Sequence, residues 1–353
     1  MPIEIDNRLQ KLIWLGVLFA AVRMLVGGVS VLYLTTKDVS LIEVGYLKSF
    51  QALIILVFDI PFAYIADRTR KSLSIKLAIL ASCLWLLITG LGSHFYIFMV
   101  AEFFNAISIA LFSGAFIAML LNGVENEHKH VILSNLQKKQ HLFMAACALV
   151  GPFLITEVAH SQIWFISAAF MFITFIIASM ILKDTSKNHQ KTLNLGVDHL
   201  VFIRRNVPLL IFLLVIAYLY MVLINFWQPI IQLGIGDVKA FYWGIFFFLI
   251  LLSQSFAAFI IETYGHRKKG LYLGIIIASG FIVHLITDDK IQIICFVILA
   301  FILLRGAVII SSSWFHSQIS DAFRATGDAI FNTVSKITLL LFLPAAGFIL
   351  DKF

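Results

Sequence analysis

Residues 59–71 read Asp59-Ile60-Pro61-Phe62-Ala63-Tyr64-Ile65-Ala66-Asp67-Arg68-Thr69-Arg70-Lys71. Residues 258–268 read Ala258-Phe259-Ile260-Ile261-Glu262-Thr263-Tyr264-Gly265-His266-Arg267-Lys268. Both run small, any, apolar, apolar, acid, then basic. Each closes an apolar run long enough to cross a bilayer, which takes roughly 20 residues of helix. The acids stand 195 positions apart, 67 against 262. One offset linking two such stretches marks an internal repeat.

Working outward, eleven apolar runs are candidate spans: 12–33, 41–65, 74–91, 95–121, 139–158, 162–182, 208–228, 240–261, 270–287, 291–313 and 328–350. Hydrophobic residues make up 61% of the 353 and charged residues 13%. A soluble domain carries roughly a quarter charged residues, so lipid is the solvent that accepts this chain. The offset maps span 1 onto span 7 and span 5 onto span 11, and it expects a twelfth span near residue 357. The sequence thus reads as two bundles of six and five helices. Residues 1–183 form the first and 207–353 the second, which reads as truncated. The polar segment 184–206 joins them as a cytoplasmic linker; it carries Lys187, Lys191, Arg204 and Arg205.

The net charge of +7 sits mostly in short loops. With the N-terminus inside, inner loops carry Arg68, Arg70, Lys71, Lys129, Lys187, Lys191, Arg204, Arg205, Arg267, Lys268, Lys269 and Arg324. Outer segments carry Lys37, Lys239, Lys290 and Lys352. That bias predicts a cytoplasmic N-terminus and, for eleven spans, an outer C-terminus. It also makes topology, not nucleic acid, the reason for the basic balance. The first span reads as an uncleaved anchor.

Residues 59–71 resemble the loop after the second helix of the major facilitator superfamily, roughly G-x-L-A-D-R-x-G-R-K. Asp67-Arg68 matches its D-R, and Lys71 a basic position. Asp59-Ile60-Pro61 resembles an E-I-P of bacterial members. Ala63 stands where the pattern has glycine, and no glycine lies between Thr69 and Lys71; the second copy keeps Gly265 and has Glu262. Ser113-Gly114-Ala115 with Ala118 is similar to an S-G-x-x-x-A pattern, Gly151-Pro152 to the G-P of the antiporter motif, and Arg324-Ala325-Thr326 to an R-A-T before the eleventh span. The resemblance implies an all-α, two-bundle membrane protein that works by alternating access around a central site. It implies a cavity lined by spans 1, 4, 7 and 10. It also implies a conformational latch at Asp59, Asp67, Arg68, Lys71, Glu262 and Arg267; the alternative is that the cations only set topology.

Ionisable groups inside spans are costly and default to function. Arg23 is in span 1, Lys48 in span 2, Glu102 in span 4 with Asn105 one turn on, Arg305 in span 10 and Lys336 in span 11. By helix rise Arg23 lies roughly 15 Å from either end of its span, and Glu102 roughly 10 Å from the outer end. Glu102 is therefore within reach of Arg23 and Lys48. It either neutralises a cation or exchanges a proton. Arg305 and Lys336 lie roughly 12 Å from the inner surface. Cavity water, Glu102 or an anionic substrate group neutralises them, or else Arg305 bonds carbonyls and Lys336 snorkels. Tyr218 and Asn225 share a face of span 7, with Gln228 nearby.

Other candidates have simpler readings. Cys83, Cys147 and Cys295 lie in apolar runs and read as small buried hydrophobes. His128 and His130 flank Lys129 in a loop and read as solvated. His284 reads as a helix-packing residue and Trp314 as an interface anchor. There is no metal or cofactor signature, no nucleotide-binding glycine loop and no Ser–His–Asp arrangement, so the sequence makes no case for an enzyme. The leading expectation is an inner-membrane secondary transporter of a small molecule, which the charges make a candidate anion. It is proton-coupled and export-biased. The alternatives are an importer of a small anionic metabolite and a non-transporting or degenerate paralogue acting as sensor or partner.

Overall fold

The computed structural model describes residues 6–68, 71–122, 124, 126–154, 161–182, 207–236, 238–264, 289–318 and 324–352. The regular structure within them is helical: α1 (Asn7–Met24), α2 (Ser30–Thr35), α3 (Leu41–Arg68), α4 (Lys71–Leu91), α5 (Phe95–Leu120), α6 (Asn126–Val150), α7 (Gln162–Ile181), α8 (Val207–Ile235), α9 (Ala240–Tyr264), α10 (Asp289–Gln318) and α11 (Arg324–Leu350). A single 3₁₀ turn, Gly151–Leu154, follows α6. In lipid every backbone N–H and C=O needs a partner within the protein, and helices supply it. Pro61, Pro229 and Pro344 sit inside helices, as membrane spans tolerate. Six described helices hold windows long and apolar enough to cross a bilayer, and shorter apolar stretches occupy Phe241–Ala257 and Lys336–Leu350. The expected span 270–287, with His284, lies outside the described residues.

Several expected boundaries differ, and two of them change the reading. Span 1 is not one helix: α1 stops at Met24, and residues 25–29 form a turn before α2. Gly27 and Gly28 weaken the helix there. The turn keeps its backbone paired through short-range bonds, Leu25 N–H to Val22 O (3.2 Å), Gly27 N–H to Met24 O (3.1 Å) and Val29 N–H to Val26 O (3.1 Å). Second, His128, Lys129 and His130 are not in a loop but in the first turns of α6. The polar residues from Asn126 onward extend the helix beyond its apolar run.

The chain divides into two compact units. Unit 1 comprises Met1–Val39, Phe50–Gln190 and Ala240–Phe248. In it α4 packs on α5 and α7, and α1 on α5, α6 and α7. Gly16 lets α1 approach α5 closely, since a Cβ there would lie 2.5 Å from the Phe116 ring. Phe19 and Phe112 stack beside it with centroids 3.9 Å apart. The Tyr33 hydroxyl donates to the carbonyls of Thr89 (3.1 Å) and Gly90 (3.2 Å), anchoring α2 to α4. Gly151 meets the α1–α2 turn so closely that a Cβ would be 2.0 Å from the Leu25 carbonyl oxygen.

Unit 2 comprises Ser40–Ser49, Lys191–Lys239 and Leu249–Phe353. Here α8 packs on α10 and α11. The start of α3 lies along the end of α11: a Cβ on Gly45 would meet Pro344 Cα at 2.7 Å, and one on Gly347 the Leu41 carbonyl at 2.2 Å. The first turn of α3 carries a capping box. Ser40 N–H donates to Glu43 Oε2 (2.9 Å), and Glu43 N–H donates to Ser40 Oγ (3.3 Å). The next two N–H groups, of Leu41 and Ile42, donate to the two carboxylate oxygens of Asp351, each at 2.8 Å. At the other end of the unit's first helix, Gly236 ends α8 with φ +74°, and its N–H returns to Gln232 O.

Candidate functional site

Unit 1 holds a buried polar chain inside an apolar bundle. Arg23 comes from the last turn of α1, Ser82 and Trp85 from α4, and Glu102 and Asn105 from α5. Arg23 Nη1 donates to Ser82 Oγ at 2.8 Å, and its Nη2 donates to Asn105 Oδ1. Asn105 Nδ2 in turn donates to Glu102 Oε2 at 2.8 Å. The guanidinium carbon lies 4.5 Å from the Trp85 ring centroid and 5.4 Å from that of Phe19. Glu102 and Asn105 are 6% and 3% exposed and Ser82 is fully buried.

The logic is electrostatic. A guanidinium in lipid needs acceptors for its hydrogens and a counter-charge. Ser82 and Asn105 supply acceptors, Trp85 its electron-rich face, and Glu102 the charge. Because the Asn105 oxygen is taken by Arg23, its NH2 is left to face Glu102. The amide therefore joins Glu102 to Arg23. Lys48, the other cation considered for Glu102, belongs to unit 2 and is half-buried on α3.

In unit 2 the polar residues expected on span 7 lie on α8. The Tyr218 hydroxyl donates to the Phe342 carbonyl (2.9 Å), and Asn225 Nδ2 to the Met221 carbonyl of its own helix (2.8 Å). Gln228 is fully buried. The residue beside Arg305 is Tyr220, two positions from Tyr218. Its ring centroid is 5.9 Å from the guanidinium carbon, and its hydroxyl donates to Gln254 Oε1 at 2.8 Å. Lys336 is half-buried on α11.

Of the expected latch residues, Asp59 is half-buried in α3 and Lys71 opens α4. Asp67 and Arg68 close α3, and Glu262 lies in the last turns of α9; their side chains, and Arg267 altogether, lie outside the described residues. Among the described residues no group of three His, Cys, Asp or Glu could hold a metal ion. The three cysteines are free and half-buried, and Cys83 Sγ donates to the Ala168 carbonyl at 3.4 Å.

Long apolar helices bundled around a buried polar chain are what a multi-pass membrane protein builds. The Major Facilitator Superfamily profile matches residues 12–350, and the chain belongs to that superfamily. It is a multi-pass membrane protein of transporter fold. No curated protein matches it closely enough to count. Among solved structures it is similar to a nucleoside transporter, NupG, at 13% identity and TM-score 0.80, covering 99% of this chain and 92% of that one. It is similar to a bacterial homologue of the human lysosomal transporter Spinster, in an inward-facing unoccupied conformation, at 16% identity and TM-score 0.73 over 96% of this chain and 80% of that one. A D-xylose-proton symporter aligns at 11% identity and TM-score 0.69, covering 96% and 88%.

Proposed function

We propose that this protein is a proton-coupled secondary transporter of a small molecule with an anionic group. The observation that carries the reading is the buried Glu102–Asn105–Arg23–Ser82 chain. An acid joined to its cation through one amide can lose or gain a proton while the cation stays held by Ser82 and Asn105. Protonation of Glu102 frees the positive field of Arg23 for a substrate anion; deprotonation withdraws it. One site thereby ties solute affinity to proton occupancy, which is what coupling requires. That a protein of the same fold is named a D-xylose-proton symporter is in keeping with this.

The rest of the reading follows the sequence. The protein sits in the inner membrane with a cytoplasmic N-terminus, as two bundles, 1–183 and 207–353, joined by the linker 184–206. Its favoured direction is export, on the exporter-like Asp59-Ile60-Pro61 and Ser113-Gly114-Ala115 stretches. Asp67, Arg68 and Lys71 with Glu262 and Arg267 form the cytoplasmic latch.

The test is transport in everted vesicles against a panel of small anions, for wild type and Glu102→Gln. The expected result is substrate exchange in both, with the variant no longer driven by a pH gradient. A stable variant with unchanged pH-driven transport would remove the coupling role. No transport of any panel member by wild type, in either vesicle orientation, would favour the non-transporting reading.

A further inference from the structure

We infer that Arg305, Gln254 and Tyr220 form a recognition site for a carboxylate, with Tyr220 as the positioning residue. This rests on the transporter reading and names the solute group it would hold. The three residues come from α10, α9 and α8, and all belong to unit 2. By helix rise they lie roughly 10–20 Å from the inner ends of their spans.

The argument begins at the Tyr220 hydroxyl. The ring is buried and held edge-on by fully buried Phe301, with centroids 6.5 Å apart. That packing allows the hydroxyl little freedom. Its hydrogen goes to Gln254 Oε1. The Gln254 oxygen is thereby occupied, and its NH2 remains as a pair of donors. The Arg305 guanidinium lies against the same phenol, 5.9 Å from its ring centroid, and both its charge and a hydrogen bond act on the hydroxyl oxygen. Two donor groups, one cationic and one neutral, are thus gathered around one fixed oxygen.

Beyond the Tyr220 oxygen, what they lack is a charged acceptor. Among the described residues, no carboxylate lies within ion-pair distance of Arg305, and no acceptor takes the Gln254 NH2. Both side chains are half-buried rather than sealed. Unit 1 shows the contrast, since Arg23 there has Ser82, Asn105 and the nearby Glu102. A guanidinium at this depth without a protein counter-charge is costly, so an incoming anion is favoured. One guanidinium balances one negative charge. Its planar fork matches two carboxylate oxygens in parallel. Gln254 adds a donor to one of those oxygens, which discriminates a carboxylate from a neutral group of similar shape.

The experiment follows Arg305 directly. The full-length protein in phosphatidylcholine nanodiscs is treated with phenylglyoxal, and labelling of Arg305 is quantified by peptide mass spectrometry. Benzoate, benzamide and inorganic phosphate are added in separate arms. Benzoate should slow labelling and benzamide should not. Gln254→Leu should weaken benzoate protection by about tenfold, the loss of one hydrogen bond to a charged group. Tyr220→Phe should weaken it less while leaving benzamide without effect. Gln254→Glu places an acid beside the guanidinium; labelling should then be slow without benzoate and slowed no further by it. Several results would overturn the site: an Arg305 that never reacts, equal protection by benzoate and benzamide, stronger protection by phosphate, or undiminished protection in Gln254→Leu. Protection by phosphatidylglycerol nanodiscs alone would assign the guanidinium to lipid and overturn it too. Benzoate protection in a protein that moves no solute supports the site and counts against transport. Lost protection with pH-driven transport intact sinks the site alone.

Discussion

Replacing Glu102 by glutamine isolates charge from shape. The glutamine oxygen can still accept from Asn105 Nδ2, which now lies 2.8 Å from Glu102 Oε2. Volume and hydrogen bonding are kept while the negative charge is lost. Breaking a buried pair by removing one partner costs about 3–5 kcal/mol. Arg23 keeps Ser82, Asn105 and the Trp85 face, so the low end, about 3 kcal/mol, is expected. For units of this size that lowers the midpoint of thermal unfolding by roughly 6–12 °C. Arg23→Met should also destabilise, by removing the donor to Ser82 and Asn105 and the positive charge near Glu102. The double variant Arg23→Met with Glu102→Gln should be more stable than the sum of the singles predicts, by about 2 kcal/mol of coupling. The assay is thermal unfolding of purified protein followed by tryptophan fluorescence, with Trp85 against the cluster as an internal reporter. Strict additivity of the two variants would refute the electrostatic link through Asn105.

Three further outcomes follow from the geometry. Gly151→Ala should cost about 2–3 kcal/mol in thermal unfolding, because its Cβ would stand 2.0 Å from a backbone oxygen, whereas Gly28→Ala, with nothing nearer than 3.4 Å, should cost under about 1 kcal/mol. Asp351→Ala removes the acceptor for two amides, so hydrogen exchange at Leu41 and Ile42 should accelerate by about fivefold in a mass-resolved exchange experiment. Asp67→Asn should slow transport turnover by about tenfold while leaving the dissociation constant of any transported solute unchanged, a comparison of binding against rate.

How far the sequence could be read depends on what each residue costs in lipid. Arg23 and Glu102 stand out because charge within an apolar run is expensive, and Asn105 follows from lying one turn from Glu102. Ser82 and Trp85, which complete the Arg23 site, carry no charge and give no such signal. Tyr218 shares a helical face with Asn225, seven positions on, and Tyr220 has no such polar companion in the sequence. That face argument is weak in a span whose sides are all apolar, since nothing in the sequence says which side meets α9 and α10. Gln254, a neutral amide in the run Ser253-Gln254-Ser255, was legible only as a polar interruption. The break in span 1 was signalled by Gly27-Gly28, but hydropathy continues unbroken across them. The glycines at 45, 151 and 347 show their meaning only once a second backbone is seen against them.

The turn at residues 25–29 is wound with bonds reaching back three residues rather than four. The first span is thereby divided into two separately fastened parts. Arg23, before the turn, is held on Ser82 and Asn105, and Tyr33, after it, holds α2 on the carbonyls of Thr89 and Gly90. A substitution that loosens one fastening leaves the other in place, so the polar chain and the α2 anchor can be perturbed one at a time.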